Sequence, residues 1–373
     1  MFDVIVVGGG IVGVSTAYSL VLSGARVLLI DRVDHGRATD AGAGIISPIA
    51  YNGESHPVHR LLTDAFYYYE DLIGDLSACN AGDTGFERCG KLMVAATQDE
   101  LEDFHAVKNA VTAHETGEDD VRPRLISREE AKHLFPALTD VLGAMHFPDA
   151  ARVDGCLLTA AIKTRAQRSG LFCRNDSVKR LVIEQKKCIG VEASNELLES
   201  HNVVIAGGAW SPSLGDQLNI HIPVAPQRGQ IVHLNTGDTD TSSWPIVTAF
   251  HDHYMVPWPD NRVVVGATRE TGSGFEPVTT AGGIQEILGE ALRVAPGLED
   301  AEIKEVRVGL RPLTSDRMPI LGSVPGFNGI YLATGHGPSG LQLGPLTGKL
   351  MSDLMLDQNI KIDLSDFRVD RFS

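Results

Sequence analysis

The 373 residues carry no excess of basic charge, no paired-cysteine motif, no membrane-length apolar run, no internal repeat and no low-complexity tract. Each absence excludes a class of function. A formal net charge of −16 argues against nucleic acid or an anionic membrane as a partner and fits a soluble protein. Five cysteines, Cys79, Cys89, Cys156, Cys173 and Cys188, form an odd set without a C-x-x-C pair. That pattern predicts reduced thiols in a cytoplasmic protein, with neither a disulfide framework nor a zinc site. No run reaches the ~18 apolar residues needed to cross a bilayer. The apolar start lacks a basic n-region and is broken by glycines, so it reads as folded structure and not as a secretion signal. What remains, 43% hydrophobic and 21% charged residues, is the composition of a globular protein long enough for two closely packed domains.

The chain is organised around Val4–Asp31. Val4 to Val7 predict a strand buried on both faces, and Gly8, Gly10 and Gly13 follow at once. Ile11, Val14, Ala17, Tyr18 and Val21 then recur at helical spacing up to Ser23-Gly24, and a second strand, Val27–Ile30, ends in Asp31. Gly8 allows a tight turn, Gly10 lets a pyrophosphate approach the backbone, and Gly13 lets helix and strand pack closely. The helix start offers free N–H groups and a positive dipole end to phosphates. Asp31 stands at the spacing of a carboxylate that accepts a ribose 2′-hydroxyl. Strand, glycine turn, helix, strand and acid in this order predict a dinucleotide site.

Within Arg32–Pro48, Gly36, Gly42 and Gly44 with small Ala and Thr neighbours predict a second backbone stretch pressed against a ligand. Helices are expected over Leu61–Leu76, Asp99 to about Ala113, from Ser127 (a capping box) to before Pro136, Asp154–Ser169, Thr279–Val294 and Leu341–Leu356. A polar loop is expected over His114–Arg124. Short strands at Leu171–Cys173, Ser177–Glu184 and Cys188–Ala193 are spaced like a meander, and Asn202–Ala206 runs into Gly207-Gly208-Ala209-Trp210. Pro223–Leu234 and His251–Thr268 predict longer antiparallel strands; alternation along the latter would put His251 and His253 on one face and Asp252 and Tyr254 on the other. The two histidines read as structural, since no companion ligand cluster accompanies them. Ile330–Thr334 followed by Gly335–Gly340 and a helix makes a second strand–turn–helix unit whose N-terminus suits an anion.

The chain resembles the D-amino acid oxidase superfamily of FAD enzymes, and within it the glycine oxidase group. The likeness runs from Gly8–Gly13 with Asp31, through Ala41-Gly-Ala-Gly-Ile45 with Pro48, Val153-Asp154, Ala206–Ser211, His251–Pro257 and Val264–Thr268, to Gly309-Leu-Arg-Pro312 with Asp316, Pro319 and Gly322, then Gly335-His336 with Gly340 and Pro345, and Asp366–Asp370. The fold that this implies is α/β. It comprises a Rossmann-like FAD-binding domain of the glutathione-reductase type, βαβ with a β-meander, and an α+β substrate domain with an antiparallel sheet. The former would take 1–80, 145–215 and 305–373, the latter 81–144 and 216–304. The resemblance implies non-covalent FAD held by Gly8, Gly10, Ile11, Val12, Gly13, Asp31, Arg32, Ala41, Gly42, Ala43, Gly44, Ile45, Val178, Ala206, Gly207, Trp210, Gly335, His336, Gly337, Pro338, Ser339, Gly340 and Leu341. It implies Arg311 as a bidentate fork for the substrate carboxylate, Tyr254 as a hydrogen-bonding or closing side chain, and Ile46 on the substrate pocket.

The chemistry implied is hydride transfer from the Cα of glycine or a small D-amino acid to flavin, with oxygen or another acceptor taking the electrons. Two departures stand out. Pro338 occupies a place where a glycine oxidase can carry a second pocket arginine, which predicts a less cationic pocket. No cysteine follows Cys188, and Asp40 stands where histidine-linked relatives attach the flavin, which predicts non-covalent binding. Other readings remain open at this point: oxidation of an N-substituted amino acid such as sarcosine or proline, or of a 2-hydroxy acid; a flavoprotein subunit of a larger dehydrogenase; and a nicotinamide dehydrogenase. A homo-oligomer is expected only by likeness, and a metal not at all.

Overall fold

A computed structural model describes residues 1–47, 56–113 and 123–372; Pro48 and 114–122 of the expected polar loop lie outside them. Two large sheets organise the chain. In the first, five parallel strands run in the order Phe172–Asn175, Val27–Asp31, Phe2–Val7, Glu196–Ile205, Ile330–Thr334, and Ile320–Ser323 adds antiparallel to the last. Val4, Ile5 and Val6 are fully buried, as expected of a central parallel strand covered on both faces. The helix Ile11–Leu22 is buried along most of its length and packs on Gly340–Met355 and Gly155–Arg168. Gly348 removes a side chain where these helices meet, since a Cβ there would strike the Ser15 backbone.

The meander differs from its expected composition. Phe172–Asn175 leaves it to pair in parallel with Val27–Asp31, and the three meander strands are Val178–Glu184, Lys187–Ala193 and the first part of Glu196–Ile205. That last strand is longer than its apolar core, because its polar N-terminal part pairs with the meander while its apolar end, Val203–Ile205, lies buried within the parallel sheet between Phe2–Val7 and Ile330–Thr334.

The second sheet has nine strands. Its backbone is the antiparallel pair Val224–Asn235 and Glu302–Thr314, in register from Val224 opposite Thr314 to Asn235 opposite Glu302. All its pairings are antiparallel except Ile246–Thr248 beside Lys91–Ala95. The single long strand expected over 251–268 is a hairpin, Tyr254–Trp258 and Arg262–Gly266, turned at Asn261 with φ of +55°. Residues 251–253 precede it as a turn, with Asp252 at φ +62°, so strand alternation does not govern the two histidines. His251 Nδ1 lies 3.1 Å from Glu290, and His253 donates from Nδ1 to the His251 carbonyl at 2.6 Å. Predicted helices appear with slightly shifted ends, and Ser127, Asp154 and Thr280 cap theirs through side-chain oxygens. All five cysteines are free.

Candidate active site

The two sheets meet over one long cavity of about 310 Å³. One end is made of backbone. Gly8 sits at φ +111°, and a Cβ there would collide with the Ala206 carbonyl; a Cβ on Gly13 would collide with the carbonyl of Gly8. The turn therefore closes only with hydrogen at these positions. Gly10 N-caps the first helix without a side chain, and Gly8, Gly10, Ile11 and Val12 line the cavity. The amide of Ile11 donates to Thr39 Oγ1 at 3.1 Å, so the segment after the second strand is tied to the helix start. First-turn amides have no acceptor inside their helix, which leaves this end rich in donors.

Asp31 lines the same end. Its Oδ2 accepts from Arg37 Nη1 at 2.9 Å, and Arg37 Nε also donates to Asp40 at 2.9 Å. Arg32 lies over the Trp210 ring at 6.0 Å. The stretch Ala41–Ile45, Val178, Ala206, Gly207, Trp210 and His336–Leu341 complete the wall. Three expected site residues do not touch it: Gly13 lies behind Gly8, Gly335 precedes the lining turn, and Ile46 is fully buried in the core. His336 is buried with Nε2 3.0 Å from Thr347 Oγ1, and burial lowers its pKa to about 3, so the ring is neutral.

The other end is made of side chains. Arg311 stands opposite Gln227 in the long strand pair and crosses Gly229, where a Cβ would lie 2.5 Å from the guanidinium. Its Nη1 donates to the Thr268 carbonyl at 2.9 Å and to Gln227 at 3.4 Å. Thr268 is itself fixed, because its hydroxyl donates to Glu270 at 2.8 Å and accepts from the amide of Gln230 at 3.0 Å. Burial pulls the Arg311 pKa below its ordinary value, and among the described residues no carboxylate forms an ion pair with it. Tyr254 lines the cavity beside it; burial raises the Tyr254 pKa although the Arg311 guanidinium pulls the other way, so the phenol stays a donor.

Several lining residues carried no clear sequence signal. Gly9 matters because a Cβ there would lie 2.6 Å from Asp31 Oδ2, and Arg37 and Thr39 act from a stretch that reads only as small residues. Asp252 and Arg269 also line the end that holds Arg311 and Tyr254, with Arg269 Nε paired to Asp252 Oδ2 at 3.3 Å. A second arginine thus reaches the cavity from a segment other than the one that carries Pro338.

A family model described as FAD dependent oxidoreductase matches residues 3–354. The chain belongs to that family. This FAD-dependent oxidoreductase is 38% identical over 371 residues to the uncharacterised oxidoreductase YurR of Bacillus subtilis (strain 168), with 98% of each chain covered. Among solved structures it resembles iminodiacetate oxidase (IdaA) from Chelativorans sp. BNC1, with 37% identity, TM-score 0.91 and 98% of each chain covered. It also resembles glycine oxidase from Geobacillus kaustophilus, with 26% identity, TM-score 0.88, and 99% of this chain and 98% of that one covered. Its fold is the mixed α/β arrangement of those oxidases, and its cofactor is non-covalent FAD. The cavity fits that group: the donor-rich backbone of Gly8–Val12 and the Asp31 carboxylate line one end, glycines let that turn close against Ala206 and Asp31, and no cysteine lines the wall. Among the described residues no helix is long and apolar enough to cross a membrane.

Proposed function

We propose that this oxidoreductase oxidises the Cα–N bond of glycine or a small D-amino acid, giving an imino acid that water converts to a keto acid. The observation that carries the reading is Arg311, a half-buried guanidinium that lines the cavity and, among the described residues, has no ion-pair partner. Its planar fork suits a carboxylate, and the Thr268 carbonyl and Gln227 fix its plane while leaving donors for a ligand. Tyr254 supplies a hydrogen bond to the same ligand. FAD, when bound, supplies the hydride acceptor for the substrate Cα hydrogen.

In this reading 1–80, 145–215 and 305–373 hold the cofactor, with Gly8, Gly10, Ile11 and Val12 at the pyrophosphate, Asp31 at the ribose, and the helix start at Gly337–Leu341 beside negative charge on the reduced ring. Segments 81–144 and 216–304 shape the substrate side. Neutral His336 is spent on Thr347 and takes no part as a base. A second reading, oxidation of an N-substituted amino acid, is favoured by the likeness to iminodiacetate oxidase.

Anaerobic mixing of the yellow protein with glycine, sarcosine, proline and D- and L-amino acids, followed by air, tests both. Bleaching by glycine or a D-amino acid supports the first reading; bleaching by secondary amines alone selects the second. Recolouring in air identifies oxygen as an acceptor. A flavin that none of them bleaches overturns both and turns attention to 2-hydroxy acids or a partner subunit.

A further inference from the structure

Two guanidiniums share the substrate-side end of the cavity, and their environments differ. Arg311 is held from below by the Thr268 carbonyl and Gln227 and, among the described residues, has no ion-pair partner. Arg269 follows Thr268 directly in sequence and lines the same cavity. It meets Asp252 at 3.3 Å through Nε, and among the described residues its Nη groups make no hydrogen bond. Arg269 is close enough to disfavour the charge on Arg311, which is the cost of placing two guanidiniums around one ligand. Among the described residues, two guanidiniums and one carboxylate leave this end with one uncompensated positive charge. Glycine, a zwitterion of no net charge, does not balance it. An amino acid with a second carboxylate and a protonated amine, net charge −1 on arrival, does.

We propose that Arg269 is a second carboxylate seat, making the preferred substrate an amino dicarboxylate held between Arg311 and Arg269. The proposal deepens the reading above and rests on Arg311 as the first seat. Asp252 orients Arg269 by charge and leaves its Nη edge open, so a ligand docks without breaking an existing hydrogen bond. Because Arg269 is exposed by about a third, its contribution is a matter of recognition and not of folding stability.

The second carboxylate could sit on a carbon side chain or on an arm attached to nitrogen. Calorimetric titration of the holoenzyme with diglycolate and methoxyacetate measures the seat without turnover, since these ethers differ by one carboxylate and have no amine to oxidise. The expected result is diglycolate bound at least tenfold more tightly, with that ratio falling to within about twofold in Arg269→Gln and partly restored in Arg269→Lys. Equal binding of the two ethers, binding of neither, or a ratio that survives Arg269→Gln overturns the proposal. If the ratio survives there while Arg311→Lys weakens both ethers, the second seat fails and the Arg311 reading stands. If Arg311→Lys weakens neither, the first reading fails and this one with it. Anaerobic bleaching rates for iminodiacetate and D-aspartate then place the second carboxylate: faster iminodiacetate puts it on nitrogen, faster D-aspartate on carbon, and glycine faster than both overturns the preference.

Discussion

The two ends of the cavity are built from different material. At the end beside Gly8 the surface is mainly main chain, shaped by glycines that follow one another within a few residues of a single strand. At the other end it is side chain, brought from a turn at Asp252, a strand at Tyr254, a loop at Arg269 and a strand at Arg311. Backbone recognition tolerates no added atom. Side-chain recognition can be retuned one residue at a time while the cradle beside it stays intact.

The comparison is broken most severely at Gly8. Gly8→Ala adds a Cβ against the Ala206 carbonyl at a positive φ, and the purified protein should be colourless with no measurable turnover, read from flavin absorbance. Arg311→Lys should keep its yellow colour yet lose about 2–4 kcal/mol of transition-state binding, mostly through KM, because one ammonium cannot reproduce a fork. Gly229→Ala sharpens the contrast, since it alters no polar group and only displaces the guanidinium above it. It should lower kcat/KM for carboxylate substrates by about 1–3 kcal/mol with FAD retained. Tyr254→Phe removes one hydrogen bond and should cost about 1 kcal/mol in kcat/KM.

The smallest effect concerns stability. Burial holds His336 at about 3 and, with help from Arg307 and Arg262, His233 at about 4, against an unfolded value near 6.5. Between those values the unfolded chain binds more protons, so stability is fully present above pH 6.5 and is lost as pH falls towards 3. Melting temperatures between pH 7 and 4 should fall less steeply in His336→Asn than in the wild-type protein, whatever the starting midpoint.

The contrast also explains what the sequence made legible. Gly8 to Asp31 could be read because a βαβ turn places its ligand-facing atoms in consecutive residues, and the fold class and FAD follow from that unit and its companions. Arg311 and Tyr254 were reached through resemblance; the paired strands that bring Arg311 across Gly229 are separated by some eighty positions of chain, which no local period encodes. Arg269 escaped notice because an arginine after a buried strand reads as a solvated end, and only tertiary structure turns it towards the cavity. Asp252 was assigned a face from strand alternation, but the chain turns there, and its place on the wall owes nothing to a period of two.

The strand carrying Arg311 is stitched to the cofactor-side loop as well as to its own sheet: the Leu310 amide donates to the Gly36 carbonyl at 2.9 Å, and Arg37 bridges to the same residue. That stitch works as a ruler with coarse graduations. Sliding the strand by one residue would turn Arg311 to the opposite face, and the next permitted mark lies ~7 Å away. The reach from the glycine cradle to Arg311 is therefore quantised, and a lineage lengthening this cavity must exchange side chains around a fixed mark, because the sheet offers no intermediate position.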